Sequence, residues 1–183
     1  VSYTRKNPKF DTRVIASGTL DGAKSMLPAI YILLLAWMLG SLIGQLGTGA
    51  YFASIVTSLS VPPVWLIPIL FLVAAGMAFA TGTSWGAFGI LLPLAGEIIN
   101  AAAPDGTLLI PAFGAVLAGS VWGDHSSPIS DTTILSSTGA GCSVATHVNT
   151  QLPYAFVGAI AALVGYVLYA ATTSAIIGFV SML

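Results

Sequence analysis

Between Gly123 and Thr133 the sequence reads Gly-Asp-His-Ser-Ser-Pro-Ile-Ser-Asp-Thr-Thr, which sets two acids, a histidine and five hydroxyls inside eleven residues. Apolar sequence lies before it. Carboxylates, hydroxyls and freed backbone carbonyls are the oxygen ligands that hard cations take. An ionisable group placed beside apolar runs marks an ion or proton pathway when those runs lie in a membrane. The chemistry expected of this string is therefore binding and exchange of a small cation or a proton.

Local backbone chemistry sharpens that expectation. Pro128 has no N–H and disfavours helix at Ser127, and Gly123 loosens the chain ahead of it, so the peptide between them is expected to unwind. Unwinding exposes carbonyls and two helix ends, which is how discontinuous transmembrane helices build cation sites. Asp124 is expected just past the end of the first half-helix. There the negative end of the helix dipole and burial both disfavour a bare carboxylate, so that it trades a proton for a cation. Asp131, ahead of Thr132 and Thr133, suits the N-cap of the second half-helix and would shape the site from there. Asp124 and Asp131 are the acids expected to face Na⁺. Ser126, Ser127, Ser130, Thr132 and Thr133 are the hydroxyl ligands on offer, and His125 either relays protons or bonds a carbonyl.

A second polar island, Thr81-Gly82-Thr83-Ser84-Trp85-Gly86, contains a formal G-x-S-x-G, with Asp124 and then His125 or His147 following in the order of a serine hydrolase. That nucleophile elbow requires a strand before the serine and a helix after it. Here both flanks are apolar arms. The island fits better as the tip of a hairpin that meets the broken segment and brings Thr83, Ser84 and backbone carbonyls to the same cation.

The elements that must hold these residues follow from composition. The chain has 183 residues, 56% hydrophobic and 6% charged, with a mean hydropathy of +0.95, against about 25% charged in soluble domains. It is expected to be an all-α, polytopic membrane protein in contact with the lipid bilayer. All five basic residues, Arg5, Lys6, Lys9, Arg13 and Lys24, precede the first apolar run, which puts the N-terminus in the cytoplasm by the positive-inside rule. That run is not followed by a small-residue cleavage site and a polar mature domain, so it is not a secretory signal. The single cysteine, Cys142, excludes an intrachain disulfide and a cysteine-built metal site. Nothing in the sequence suggests nucleic acid or an organic cofactor.

Residues 1–24 form the polar, cytoplasmic lead, and 25–183 the membrane domain. Pro28 to Leu46 is a first span of about the 20 residues a crossing needs. Gly47-Thr48-Gly49 interrupts it, and the apolar piece from Ala50 to Ser60 is too short to cross. Val64–Thr81 and Ala87–Asn100, joined by Gly82 to Gly86, read as a re-entrant hairpin in preference to two full spans, since non-helical backbone at membrane depth must be buried in protein or line a cavity. Ala103 to Thr107 is a surface turn. Leu108–Trp122 and Thr132–Ala140 are the halves of a discontinuous helix. A weakly polar connection with His147, Asn149 and Gln151 leads to a span over Leu152–Ala171, with the tail from Thr172 as a candidate extension. Glu97, Asp105 and His147 lie near span ends as structural polar groups.

The string Gly82 to Gly86 with Leu92-Pro93-Leu94, the run from Gly123 to Gly141, and His147 to Tyr154 closely resemble the C-terminal half of NhaC-type Na⁺/H⁺ antiporters. The likeness covers roughly residues 15 to 171. The arrangement also looks like one repeat of the ion-transporter superfamily of inverted-repeat carriers, in which two repeats of opposite topology face each other across the site. The resemblance implies a secondary active transporter, not an enzyme, exchanging Na⁺ and H⁺ in the cell membrane. It further implies an N-terminal repeat of the same carrier as partner, and it leaves a homo-oligomer open. Some members exchange organic acids such as malate and lactate, and the quoted motifs do not separate the two activities. An intramembrane hydrolase and a passive channel are the readings from other classes.

Overall fold

The computed structural model describes residues 12–47, 51, 54, 58 and 62–181. It contains helix α1 (Thr12–Gln45), a short 3-10 turn (Pro63–Trp65) leading into α2 (Leu66–Thr81), then α3 (Ser84–Ala102), α4 (Leu109–Ser126), α5 (Asp131–Gly139), α6 (Val144–Thr172) and α7 (Ala175–Val180). Among the described residues there is no strand. Three stretches among them are long and apolar enough to cross a bilayer, Pro63–Thr81, Ser84–Ala102 and Val144–Thr172. Large apolar side chains face outward along these helices and α4, including Ile69, Leu72, Ile110, Val157 and Ile160. A water-soluble surface rarely carries so much contiguous apolar area. The protein is an all-α, polytopic membrane protein.

Helix α1 carries the first expected span and begins at Thr12, so part of the polar lead is helical and continuous with it. The expected apolar piece 50–60, and the break at Gly47 to Gly49 beyond Gly47 itself, lie outside the described residues apart from Tyr51, Ser54 and Ser58.

The centre of the fold is the contact between α2 and α4. Ala74, Ala75 and Ala78 on α2 and Ala112, Ala115, Val116, Gly119 and Gly123 on α4 are all buried. A Cβ on Gly119 would collide with the carbonyl oxygen of Phe71, and one on Gly123 with that of Ala75. Lipid tails are as apolar as leucine, so helices in a bilayer associate through close backbone packing, and small residues four apart permit it. Partners rise together in number (119 with 71–75, 123 with 75–79), so α2 and α4 run parallel. Helix α3 runs antiparallel to α4, since Ser84 meets Asp124 at one end and Gly96 meets Phe113 towards the other. Helix α6 is antiparallel to α4 as well. Trp122 Nε1 donates to the carbonyl of Ala155 at 2.8 Å, and Gly114 lies beside Tyr166.

Four boundaries differ from those expected, each for a local reason. The hairpin tip is only Gly82 and Thr83. Gly82 closes α2 in the left-handed region (φ +69°), and Thr83 caps α3 by accepting from Gly86 N–H, which draws Ser84, Trp85 and Gly86 into the helix. The connection through His147, Asn149 and Gln151 is helical, because Ser143 accepts from Thr146 N–H at 3.1 Å and starts α6 there. The tail does not extend that span. Thr173 turns the chain at φ +54°, and Gly178 comes to rest against Gly165 and Tyr169, so α7 folds back along α6. Finally, α4 runs through Gly123 and Asp124 to Ser126 instead of ending at Trp122.

Candidate ion site

The break in the chain is four residues long, Ser127-Pro128-Ile129-Ser130, between α4 and α5. Ser127 takes an extended conformation (φ −76°, ψ 131°), as the following proline demands. Ser127 and Ser130 are fully buried, whereas Pro128 and Ile129 face outward. The expected unwinding therefore occurs, but after Ser126. Gly123 is not a loosening residue; it is the point where α4 touches α2.

Asp124 is consequently in the last turn of α4, not beyond it, and is 4% exposed. Its Oδ2 accepts a hydrogen bond from Ser84 Oγ at 2.9 Å. Its Oδ1 accepts one from Ser130 Oγ at 2.5 Å. Ser130 Oγ lies 2.7 Å from Thr132 Oγ1 and accepts from Thr132 N–H at 3.2 Å. One carboxylate thus joins the first turn of α3, next to the hairpin tip, with the break and the first turn of α5 through hydroxyls alone. The tip also touches the break directly: a Cβ on Gly82 would stand 2.9 Å from the carbonyl oxygen of Ile129. Because α2 and α4 are parallel, their C-terminal ends lie at the same end of the bundle, and the two polar islands meet there.

The remaining predicted residues divide clearly. Ser130, not Asp131, is the N-cap of α5. Asp131 is the first helical residue, exposed, with Oδ1 accepting from Thr132 N–H at 2.8 Å; an acid there is favoured by the helix N-terminus. Ser127 Oγ accepts from Ile129 N–H at 3.4 Å and pins the turn. Thr133 Oγ1 donates to the carbonyl of His125 at 3.4 Å. His125 is exposed, with Nδ1 3.0 Å from the Val121 carbonyl, on the face of α4 that looks towards α6. Thr83 is occupied as a cap. The structure thus brings Asp124, Ser84, Ser130 and Thr132 together, and leaves Asp131, His125 and Thr83 at its margin. No group of three or more His, Cys, Asp or Glu side chains that could hold a metal ion occurs among the described residues.

The hydrolase elbow fails on context. Ser84 follows a helix rather than a strand, and its hydroxyl is given to Asp124. Two features lie outside the motifs expected from the sequence: the Gly119-x-x-x-Gly123 spacing, which is a readable sign of close helix approach, and Ser120, a fully buried hydroxyl on α4.

A sequence profile of the Na⁺/H⁺ antiporter family matches residues 5–171. This chain belongs to the Na⁺/H⁺ antiporter family. The family is one of transporters and not enzymes. An uncharacterized protein of Haemophilus influenzae is 51% identical over 158 residues, 86% of this chain and 30% of that protein. The malate-2H⁺/Na⁺-lactate antiporter of Bacillus subtilis is 29% identical over 78% of this chain and 30% of its own length. An uncharacterized Na⁺/H⁺ antiporter of H. influenzae is 34% identical over 69% of this chain and 26% of its own. The chain thus spans 30% or less of the length of these curated relatives. No solved structure matches it.

Proposed function

We propose that this chain is the C-terminal part of an NhaC-type Na⁺/H⁺ antiporter in which Na⁺ and H⁺ compete for Asp124. The observation that carries the reading is a buried carboxylate whose partners are hydroxyls on two separate polar turns. No lysine or arginine follows Lys24 in the sequence to neutralise it. A carboxylate buried without a cationic partner is costly, and it takes up either a proton or a metal ion. A carrier that reorients with the acid occupied by one or the other, and poorly when it is bare, is forced to exchange them. The charge alone costs about 2.5–3.5 kcal/mol at membrane depth on the mildest scale. Ser84, Ser130 and Thr132 supply neutral oxygens for the cation. Under this reading the hairpin is re-entrant, its tip lies at mid-depth, the polar N-terminal segment is cytoplasmic in the cell membrane, and an N-terminal repeat completes the cavity.

The test is Asp124→Asn in the complete carrier, assayed as Na⁺-driven pH change in vesicles. Exchange is expected to fall by about 100-fold or more, since the charge that binds either ion is gone; undiminished exchange removes Asp124 from the site. A second reading, ion-coupled exchange of organic acids, is favoured by similarity to the B. subtilis malate/lactate antiporter. Radiolabelled malate and lactate uptake in the same vesicles separates the two.

A further inference from the structure

Hydroxyls in the helices of this protein habitually bond back to a carbonyl three or four residues earlier: Thr81 to Met77, Ser137 to Ile134, Thr138 to Ile134, Thr150 to Thr146, Thr172 to Leu168. Two hydroxyls of α4, Ser120 and Ser126, do not: they are 0% and 2% exposed, and neither Oγ has a hydrogen-bond partner. Of the two, Ser120 shares the face of Asp124. A buried hydroxyl left unpaired is costly, so an unpartnered one on the helix that carries Asp124 marks a place for a ligand.

Helical geometry says where it lies. Ser120 is four residues before Asp124, on the same face of α4, with the two Cβ atoms about 5–6 Å apart. That face meets α3, because the seam between the helices is pinned by Ser84 on Asp124 at one end and by Gly96 against Phe113 further along. Ser120 lies between those two contacts. An ion of calcium's size holds its oxygens at about 2.3–2.6 Å, so two ligands of one ion stand up to about 5 Å apart. Neighbouring turns of one helix face satisfy that spacing.

We propose that Ser120 is a ligand and specificity-determining residue for the cation at Asp124, its hydroxyl completing the oxygen shell from one turn deeper in the α3–α4 seam. The inference rests on the reading of Asp124 as the exchanging acid. A proton on Asp124 needs no second oxygen, whereas Na⁺ does, so Ser120 weighs the competition between the two ions without touching the acid itself.

The experiment compares Ser120→Ala, Ser120→Thr and Asp124→Asn in the complete carrier at equal abundance in vesicles, with Na⁺ and pH varied. Ser120→Ala is expected to raise the half-saturating Na⁺ concentration about tenfold while lowering the maximal rate less, the signature of lost ground-state binding. At fixed, sub-saturating Na⁺ its pH profile moves to higher pH, because protons now outcompete Na⁺. Ser120→Thr keeps the hydroxyl and restores both. An unchanged half-saturating Na⁺ in Ser120→Ala, with exchange abolished in Asp124→Asn, overturns the inference alone. Equal defects in the alanine and threonine variants also overturn it, in favour of packing. Undiminished exchange in Asp124→Asn overturns the reading of the site and Ser120 with it.

Discussion

At Asp124 the decisive property is the kind of partner it has. Hydroxyls donate to a carboxylate, yet they rotate and become acceptors or metal ligands when the charge is otherwise satisfied. A lysine or arginine in their place would lock the acid in its ionised, unloaded form. Ser130 has two duties, donating to Asp124 and capping α5, whereas Ser84 has one, since Thr83 caps α3. Ser130→Ala is therefore expected to lower exchange more than Ser84→Ala and to cost about 1 kcal/mol of stability through the lost cap. Vesicle exchange alongside thermal unfolding in detergent checks both; equal stability of the two variants would remove the cap argument. Asp131, exposed and outside that carboxylate's bonds, is expected to tolerate Asn far better than Asp124 does.

The elements position this chemistry through two close approaches. Gly119 and Gly123 let α4 lie on the backbone of α2, and Gly82 lets the tip lie on the break. Any side chain at these points pushes the two polar islands apart. Gly123→Ala and Gly82→Ala are expected to destabilise the fold by about 1–3 kcal/mol, the cost of overpacking a closely packed interface, with Gly82 carrying added strain from its positive φ. Gly139→Ala, where a Cβ meets nothing within 4 Å, is expected to be neutral. Unfolding temperatures of the three variants decide; a neutral Gly123→Ala would mean the helices separate without penalty.

For the whole molecule, the central fact is that the site lies at one end of a single helical cluster whose relatives are more than two and a half times as long. If a facing repeat completes the cavity, this chain reconstituted alone gives no Na⁺-driven pH change, and co-expression with the remainder restores it. Exchange by the isolated chain would end the half-site reading. Orientation is checked in the same membranes: the basic residues at the start of the sequence predict that a protease added from the cytoplasmic face removes an N-terminal tag.

The membrane class, the helical architecture, the polar turn of the hairpin, the break beside Pro128 and the candidate acid were all legible in the amino-acid sequence. Composition, proline chemistry and the cost of charge in apolar surroundings act locally and need no tertiary information. The boundaries were less legible. Caps at Thr83, Ser130 and Ser143 took a helix start one to several residues from where apolarity suggested, because a single side-chain hydrogen bond decides it. The meeting of hairpin tip and break was expected as well; only the tertiary structure decided that Gly123 is a contact and not a hinge, that the tail folds back, and that Ser84 and Ser130, rather than Thr83 or Asp131, are the residues bonded to Asp124, over sequence separations of 40 and 6 residues. The reason is direction: parallel packing of α2 on α4 brings their C-terminal ends together, and nothing in a linear pattern of apolar and polar residues encodes which ends of two helices will meet.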